Sequence, residues 1–166
     1  MKKLVFLLLI FFVLVGCFGK VVEEKPKLIG MANPWTDCDD DLIKASKIAG
    51  FTFPLSLSKY TVRAMKGMIE INYVLDDFRT VCVRKTDFKQ YANNGDVSGV
   101  YIEYPVNKEI TLNNSIPIKI RGTQNKIYVI NMAVSNVYYS AYCKESMNLQ
   151  EVERLCNIIV QAETAY

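Results

Sequence analysis

The chain has 166 residues, 51% of them apolar, and its 20 Lys and Arg against 17 Asp and Glu leave a net charge of +3. That length supports one domain with a real core and not two comfortable ones, and sparse Gly and Pro without repeats or low-complexity tracts argue for an ordered fold. With no histidine, Ser-His and Cys-His nucleophile pairs and His-bearing metal sites are excluded.

Lys2 and Lys3 precede an unbroken apolar run from Leu4 to Val15, the anatomy of a secretory signal peptide. A spanning helix needs about 20 apolar residues to cross roughly 30 Å of hydrocarbon, and Gly16, Gly19 and Lys20 interrupt the run first. Leu14-Val15-Gly16-Cys17 resembles the lipobox of bacterial lipoproteins, which implies cleavage after residue 16 and lipidation of Cys17 as the new N-terminus. Two or more acyl chains on one residue hold a protein on a membrane stably, where one holds it only marginally. The expected boundaries are a signal peptide at 1–16, a lipidated cysteine and charged tether at 17–29, and one domain at 30–166. The expected location is the extracytoplasmic face of the cell membrane. Loss of Lys2 and Lys3 brings the mature charge to +1, without basic clusters, so no nucleic-acid partner is expected.

The domain opens with Gly30-Met31-Ala32-Asn33-Pro34-Trp35. A helix follows, with Thr36 or Asp37 as cap, Asp39, Asp40 and Asp41 at the positive end of its dipole, and Leu42, Ala45 and Ala49 on one face. Gly50 suits a left-handed C′ position, with Phe51 packing back. The acidic run lacks the sixth-position glycine and twelfth-position ligand of an EF-hand loop, so it reads as capping and no metal site is expected. Trp35, the one tryptophan, reads either as cover for a core edge or as a ligand-facing ring.

From Tyr60 the period changes to two. Tyr60, Val62 and Ala64 alternate, Lys66-Gly67 turns, Ile69, Ile71, Tyr73 and Leu75 alternate, and Asp76-Asp77 turns into Arg79–Arg84. The stretch from Thr86 to Val106 keeps no period, is broken at Asn93-Asn94-Gly95, and holds the distinctive block Asp96-Val97-Ser98-Gly99-Val100-Tyr101. Strands resume at Ile116–Arg121, Lys126–Ala133 and Val137–Cys143. A closing helix is marked by Asn148 and Glu151 at capping-box spacing, by Met147 and Val152 as a hydrophobic staple, and by a face of Leu149, Val152, Cys156, Ile159 and Val160. The expected fold is α+β: a curved antiparallel sheet of about six strands covered by an N-terminal and a C-terminal helix.

Asn33-Pro34-Trp35, Ala49-Gly50-Phe51 with Pro54, Val83-Arg84-Lys85, Asp96-Val97-Ser98-Gly99 with Tyr101 and Tyr104, Tyr139-Ser140-Ala141-Tyr142 and Met147–Val152 occur in that order. Together they resemble a family of uncharacterised secreted or lipid-anchored bacterial domains of clostridial type, over roughly residues 30 to 162. The resemblance implies a curved antiparallel sheet with a helix at each end of the chain and implies no activity. Val97 stands where isoleucine is usual there, and Val100 where a polar residue is usual.

After lipidation, Cys38, Cys82, Cys143 and Cys156 allow three pairings into two disulfides, and the sequence does not choose among them. Cys156 reads first as a small buried hydrophobe, with Cys143 as a plausible bridge partner. A Ser-Lys arrangement or a carboxylate pair such as Glu70 with Glu103 is what remains for catalysis, and no spacing singles either out, so neither enzyme activity nor a cofactor is expected. Two functions stay open. One is a binding module for a lipid, peptide or cell-wall fragment, with tyrosines 73, 101, 104, 128 and 138 lining an apolar groove. The other is an interaction or regulatory domain meeting an envelope protein. The candidate interaction residues are Trp35, Asp96, Ser98, Gly99, Tyr101 and Tyr104, although Asp96 and Ser98 also suit a locally bonded turn and tyrosine also suits half-buried strands.

Replacing Cys17 by serine is expected to release the protein from membranes or block its processing. Fractionation and intact mass measure this, and unchanged membrane retention with unchanged mature mass would overturn the lipoprotein reading.

Overall fold

Alternating apolar residues in six stretches of the chain form the centre of an open antiparallel sheet, and two short or polar segments extend it at its edges. The computed structural model describes residues 33–54, 59–87, 95–112 and 116–165. The signal peptide, Cys17, the tether, the start of the domain at Gly30 and the break at Asn93-Asn94 therefore lie outside the described residues. The strands are β1 (Thr36–Asp37), β2 (Tyr60–Met65), β3 (Met68–Val74), β4 (Thr80–Thr86), β5 (Val106–Thr111), β6 (Pro117–Thr123), β7 (Lys126–Val134) and β8 (Val137–Met147). Their order is β1-β2-β3-β4-β8-β7-β6-β5, two antiparallel meanders joined where β4 pairs with β8. Among the described residues the sheet thus has eight strands rather than about six. β1 is too short for any period to show, and β5 lies at an edge with Asn107, Lys108 and Glu109 exposed, so burial imposes no alternation there.

Register stacks the apolar residues in rows. Val62, Ile71, Val83, Ala141, Ile130 and Ile120 oppose one another in turn across β2, β3, β4, β8, β7 and β6. The neighbouring row begins Ala64, Ile69, Lys85, Tyr139, Met132 and Ile118. Apart from Lys85 these belong to one buried core cluster, and each fully buried Val or Ile contributes about 1.5–3 kcal/mol relative to exposure. Tight turns keep this register. Gly67, Ser135 and Asn136 all have positive φ in two-residue hairpin loops, the backbone twist that such loops need. A β-bulge interrupts the β6–β7 ladder at Gly122, where a Cβ would collide with the backbone carbonyl of Lys126.

The first helix, α1 (Leu42–Ala49), adds Ala45 and Ala49 to the core cluster, and the second, α2 (Leu149–Thr164), adds Val152, Leu155, Cys156 and Ile159. The cap of α1 is Asp41, whose carboxylate accepts the Lys44 amide at 2.8 Å, rather than Thr36 or Asp37, which pair with β2. Gly50 ends the helix in the left-handed conformation, its amide donating to the Ser46 carbonyl. The expected capping box of α2 is present: the Glu151 amide donates to the Asn148 side chain at 3.0 Å, and the Asn148 amide to the Glu151 carboxylate at 2.8 Å. Met147 and Val152 are both buried, as a staple requires. Leu149 departs from the expected helix face at 48% exposure, and Leu155 is buried in its stead.

Two polar contacts tie α2 to the sheet. Arg79, beyond the β3–β4 turn, pairs with Glu151 and so holds the helix start. Near the helix end Glu163 accepts from buried Lys85 and from the Tyr139 hydroxyl, while Lys85 also donates to the Thr52 carbonyl at 2.8 Å. No helix of the described residues is long and apolar enough to cross a membrane.

Asn148→Ala removes the side-chain half of the capping box and is expected to lower unfolding stability by about 1 kcal/mol, read from the urea midpoint at unchanged slope.

Candidate functional site

The opposite face of the sheet is built from the residues between the apolar ones, and here pairing brings charges together. Arg63, Glu70, Arg84, Ser140 and Asn131 oppose one another in turn across β2, β3, β4, β8 and β7. At the centre, Glu70 is only 1% exposed. Arg63 donates to both of its oxygens, at 2.6 and 3.0 Å, Arg84 donates at 2.7 Å, and the Asn72 amide adds 3.1 Å. Burial alone would push this carboxyl up. The hydrogen bonds from Arg63 and Arg84, with the nearby positive charge, more than offset it and hold Glu70 below its usual range. Burial, with the Glu70 charge beside it, pushes the neighbouring Cys82 thiol up to about 12.

Both arginines also face Trp35, with guanidinium carbons 4.9 Å (Arg63) and 5.4 Å (Arg84) from the ring centroid. Arg84 reaches further, donating at 3.2 Å to the carbonyl of Val97. Its guanidinium lies directly against Gly99, which has φ +68 and no room for a Cβ. A side chain there would be strained by the backbone and would have to push the Arg84 guanidinium aside.

The segment from Asp96 to Tyr101 is thereby pinned onto this face. The Val97 amide donates to the Ser140 hydroxyl at 2.9 Å, and that hydroxyl bonds to the Asn131 side chain. Arg121 of β6 donates to the Ser98 hydroxyl at 2.9 Å and to the Val100 carbonyl at 3.0 Å, and pairs with Asp96 at 2.7 Å. Within the segment Asp96 accepts the Ser98 amide at 2.8 Å and Ser98 the Val100 amide at 3.1 Å, the local turn bonds expected of these residues. Val97 and Ser98 are buried, whereas the next residues emerge, with Tyr101 93% and Ile102 57% exposed.

Of the candidate residues, Trp35, Asp96, Ser98 and Gly99 converge on Arg84 and Arg121, and Tyr101 projects from the same segment. Tyr104 instead stacks on Tyr128, with ring centroids 5.1 Å apart. The five tyrosines proposed for one groove do not share a face: Tyr73 is in the row of Val81 and Cys143 and packs on the core, while Tyr138 sits opposite Thr86 in the polar-face register. Glu103 is exposed, whereas Glu70 is buried and bound by two arginines. Cys38, Cys82, Cys143 and Cys156 are all free thiols, and Cys143 and Cys156 are buried in the core cluster without a bridge. No group of His, Cys, Asp or Glu suited to a metal occurs among the described residues.

Sequence reasoning named Glu70 only as half of a possible carboxylate pair with Glu103 and Arg84 only within the resemblance, gave Arg121 no role, and did not find that Arg84 pairs with Glu70 and Arg121 with Asp96. A charge at a strand position reads as a solvated face unless the register that supplies its partner is known. No family model, curated protein or solved structure matches this chain.

Glu70→Gln leaves two arginines without their shared carboxylate and is expected to cost about 3–5 kcal/mol of stability at neutral pH. Because the folded value of Glu70 is depressed, its contribution is present above about pH 4.3, the ordinary glutamate value, and is lost as the pH falls toward the folded value. Urea titrations across that acid range should therefore show a shallower decline in the variant than in the native protein.

Proposed function

We propose that this chain is a non-catalytic recognition domain, held at the extracytoplasmic face of a bacterial membrane by lipid on Cys17, that docks a protein partner through the segment from Gly99 to Ile102. The observation that carries this reading is the pairing of an exposed Tyr101 and Ile102 with a backbone fixed from below by Arg84, Arg121 and Ser140. Tyrosine is enriched among residues that dominate binding energy, and a segment ordered before binding avoids the entropic cost of ordering on contact. In this reading the two helices cover the apolar face of a curved sheet and leave the polar face for recognition. The resemblance to secreted and lipid-anchored clostridial domains agrees with such a location.

A small apolar ligand has less support. A cleft of about 620 Å³ lies against α1, lined by Leu42, Ile43 and Phe51–Pro54, but it is wide open to solvent.

A photoreactive phenylalanine analogue placed at Tyr101 in the producing cells tests the proposal, with the same analogue at Phe78, 87% exposed in the β3–β4 turn, as control. A discrete adduct is expected at 101 alone, and Gly99→Ala should abolish it by forcing the segment off Arg84. Adducts that are identical at both positions, or none at 101, would overturn the reading.

A further inference from the structure

Beneath Tyr101 lies a cleft of about 340 Å³ lined by Arg84, Asp96, Gly99, Arg121 and their apolar neighbours. Its two guanidinium groups are well buried, with side chains 18% (Arg84) and 12% (Arg121) exposed. Two separate features leave this cleft short of one anion. The first is charge. Arg63, Arg84 and Arg121 are served by two carboxylates, with Arg63 and Arg84 dividing Glu70 and Arg121 taking Asp96. Asp37 adds its field at Arg63. The second is hydrogen bonding. Among the described residues, Arg121 Nε is the one buried side-chain nitrogen or oxygen without a partner, although both terminal nitrogens of the same group are engaged. An unpaired buried donor of this kind costs about 1–3 kcal/mol, more when charged, and an arriving acceptor recovers that cost.

We infer that this cleft receives a carboxylate: an aspartate or glutamate side chain of the protein that docks over Tyr101, accepted by the Nε edge of Arg121 with Arg84 beside it. The inference rests on the recognition reading above and adds the chemistry of the partner. One negative charge balances the shortfall, and with Nη2 of Arg121 already on Ser98 and Asp96 the carboxylate takes the Nε hydrogen through a single oxygen. Nε is shut off from water, so an acceptor reaches it only by displacing the groups packed around it, and the exposed Tyr101 lines the same cleft. Tyr101 then closes over the bound group, shielding it from solvent and strengthening the ion pair.

The test is the Nε–H resonance of Arg121 in detergent-solubilised full-length protein carrying isotope-labelled arginine. The ligand probes are an acetylated tetraglutamate amide and its tetraglutamine counterpart. Saturable perturbation by the glutamate peptide is expected, with the glutamine peptide about tenfold weaker. Arg121→Lys should abolish that preference, and Arg154→Lys on the exposed side of α2 should keep it. The glutamate-to-glutamine comparison in the native protein needs no variant, so poor folding of Arg121→Lys leaves the test intact. Equal response to the two peptides, or none, while cross-linking at position 101 persists overturns the carboxylate inference and spares the recognition reading. Loss of both signals overturns both.

Discussion

The buried carboxylate of Glu70, held between Arg63 and Arg84, is the constraint on which the polar face depends. A carboxylate removed from water is tolerable only when several donors replace its hydration, and Glu70 receives four hydrogen bonds. Those bonds also fix the donors. Arg84, with its Nε committed to Glu70, has its terminal nitrogens at a set height above the sheet, and Trp35, Val97 and Gly99 arrange themselves around that group. The position of Tyr101 is therefore decided by a charge on a different strand, well before the chain reaches it.

The seam between β4 and β8 makes this possible. Each meander alone carries part of the site: Arg63, Glu70 and Arg84 lie on the first, and Arg121, Asn131 and Ser140 on the second. Pairing of Arg84 with Ser140 across the seam places both sets under one crossing segment. The same seam aligns Lys85 with Tyr139 on the opposite face, where both reach Glu163 of α2. A single register thus sets both the seat of the helix end and the seat of the 96–101 segment, and a slip of one residue would exchange the two faces.

What was legible in the sequence follows the strength of local constraints. The alternation of Ile69, Ile71 and Tyr73 and the capping pair Asn148 and Glu151 are visible because burial and helix ends demand particular residues at short spacing. Thr36–Asp37 and Val106–Thr111 were not legible as strands, since edge strands with exposed side chains need no apolar period. The site divides similarly. Trp35, Asp96, Ser98, Gly99 and Tyr101 stood out by residue type, and Gly99 is required by a neighbour 15 positions earlier in the chain. Glu70 looked like an ordinary surface carboxylate because its two guanidinium partners become neighbours only after three strands have paired.

The charged middle of β5 has a bearing on how copies of this chain meet one another. Open sheet edges invite unwanted assembly wherever copies of a chain meet at high concentration. A symmetric antiparallel overlap with its two-fold at the middle of β5 sets Lys108 against its own copy or Glu109 against its own copy, since opposed residues share a face. Like charges in direct opposition destabilise such a ladder, so the longer edge of the sheet discourages joining with itself.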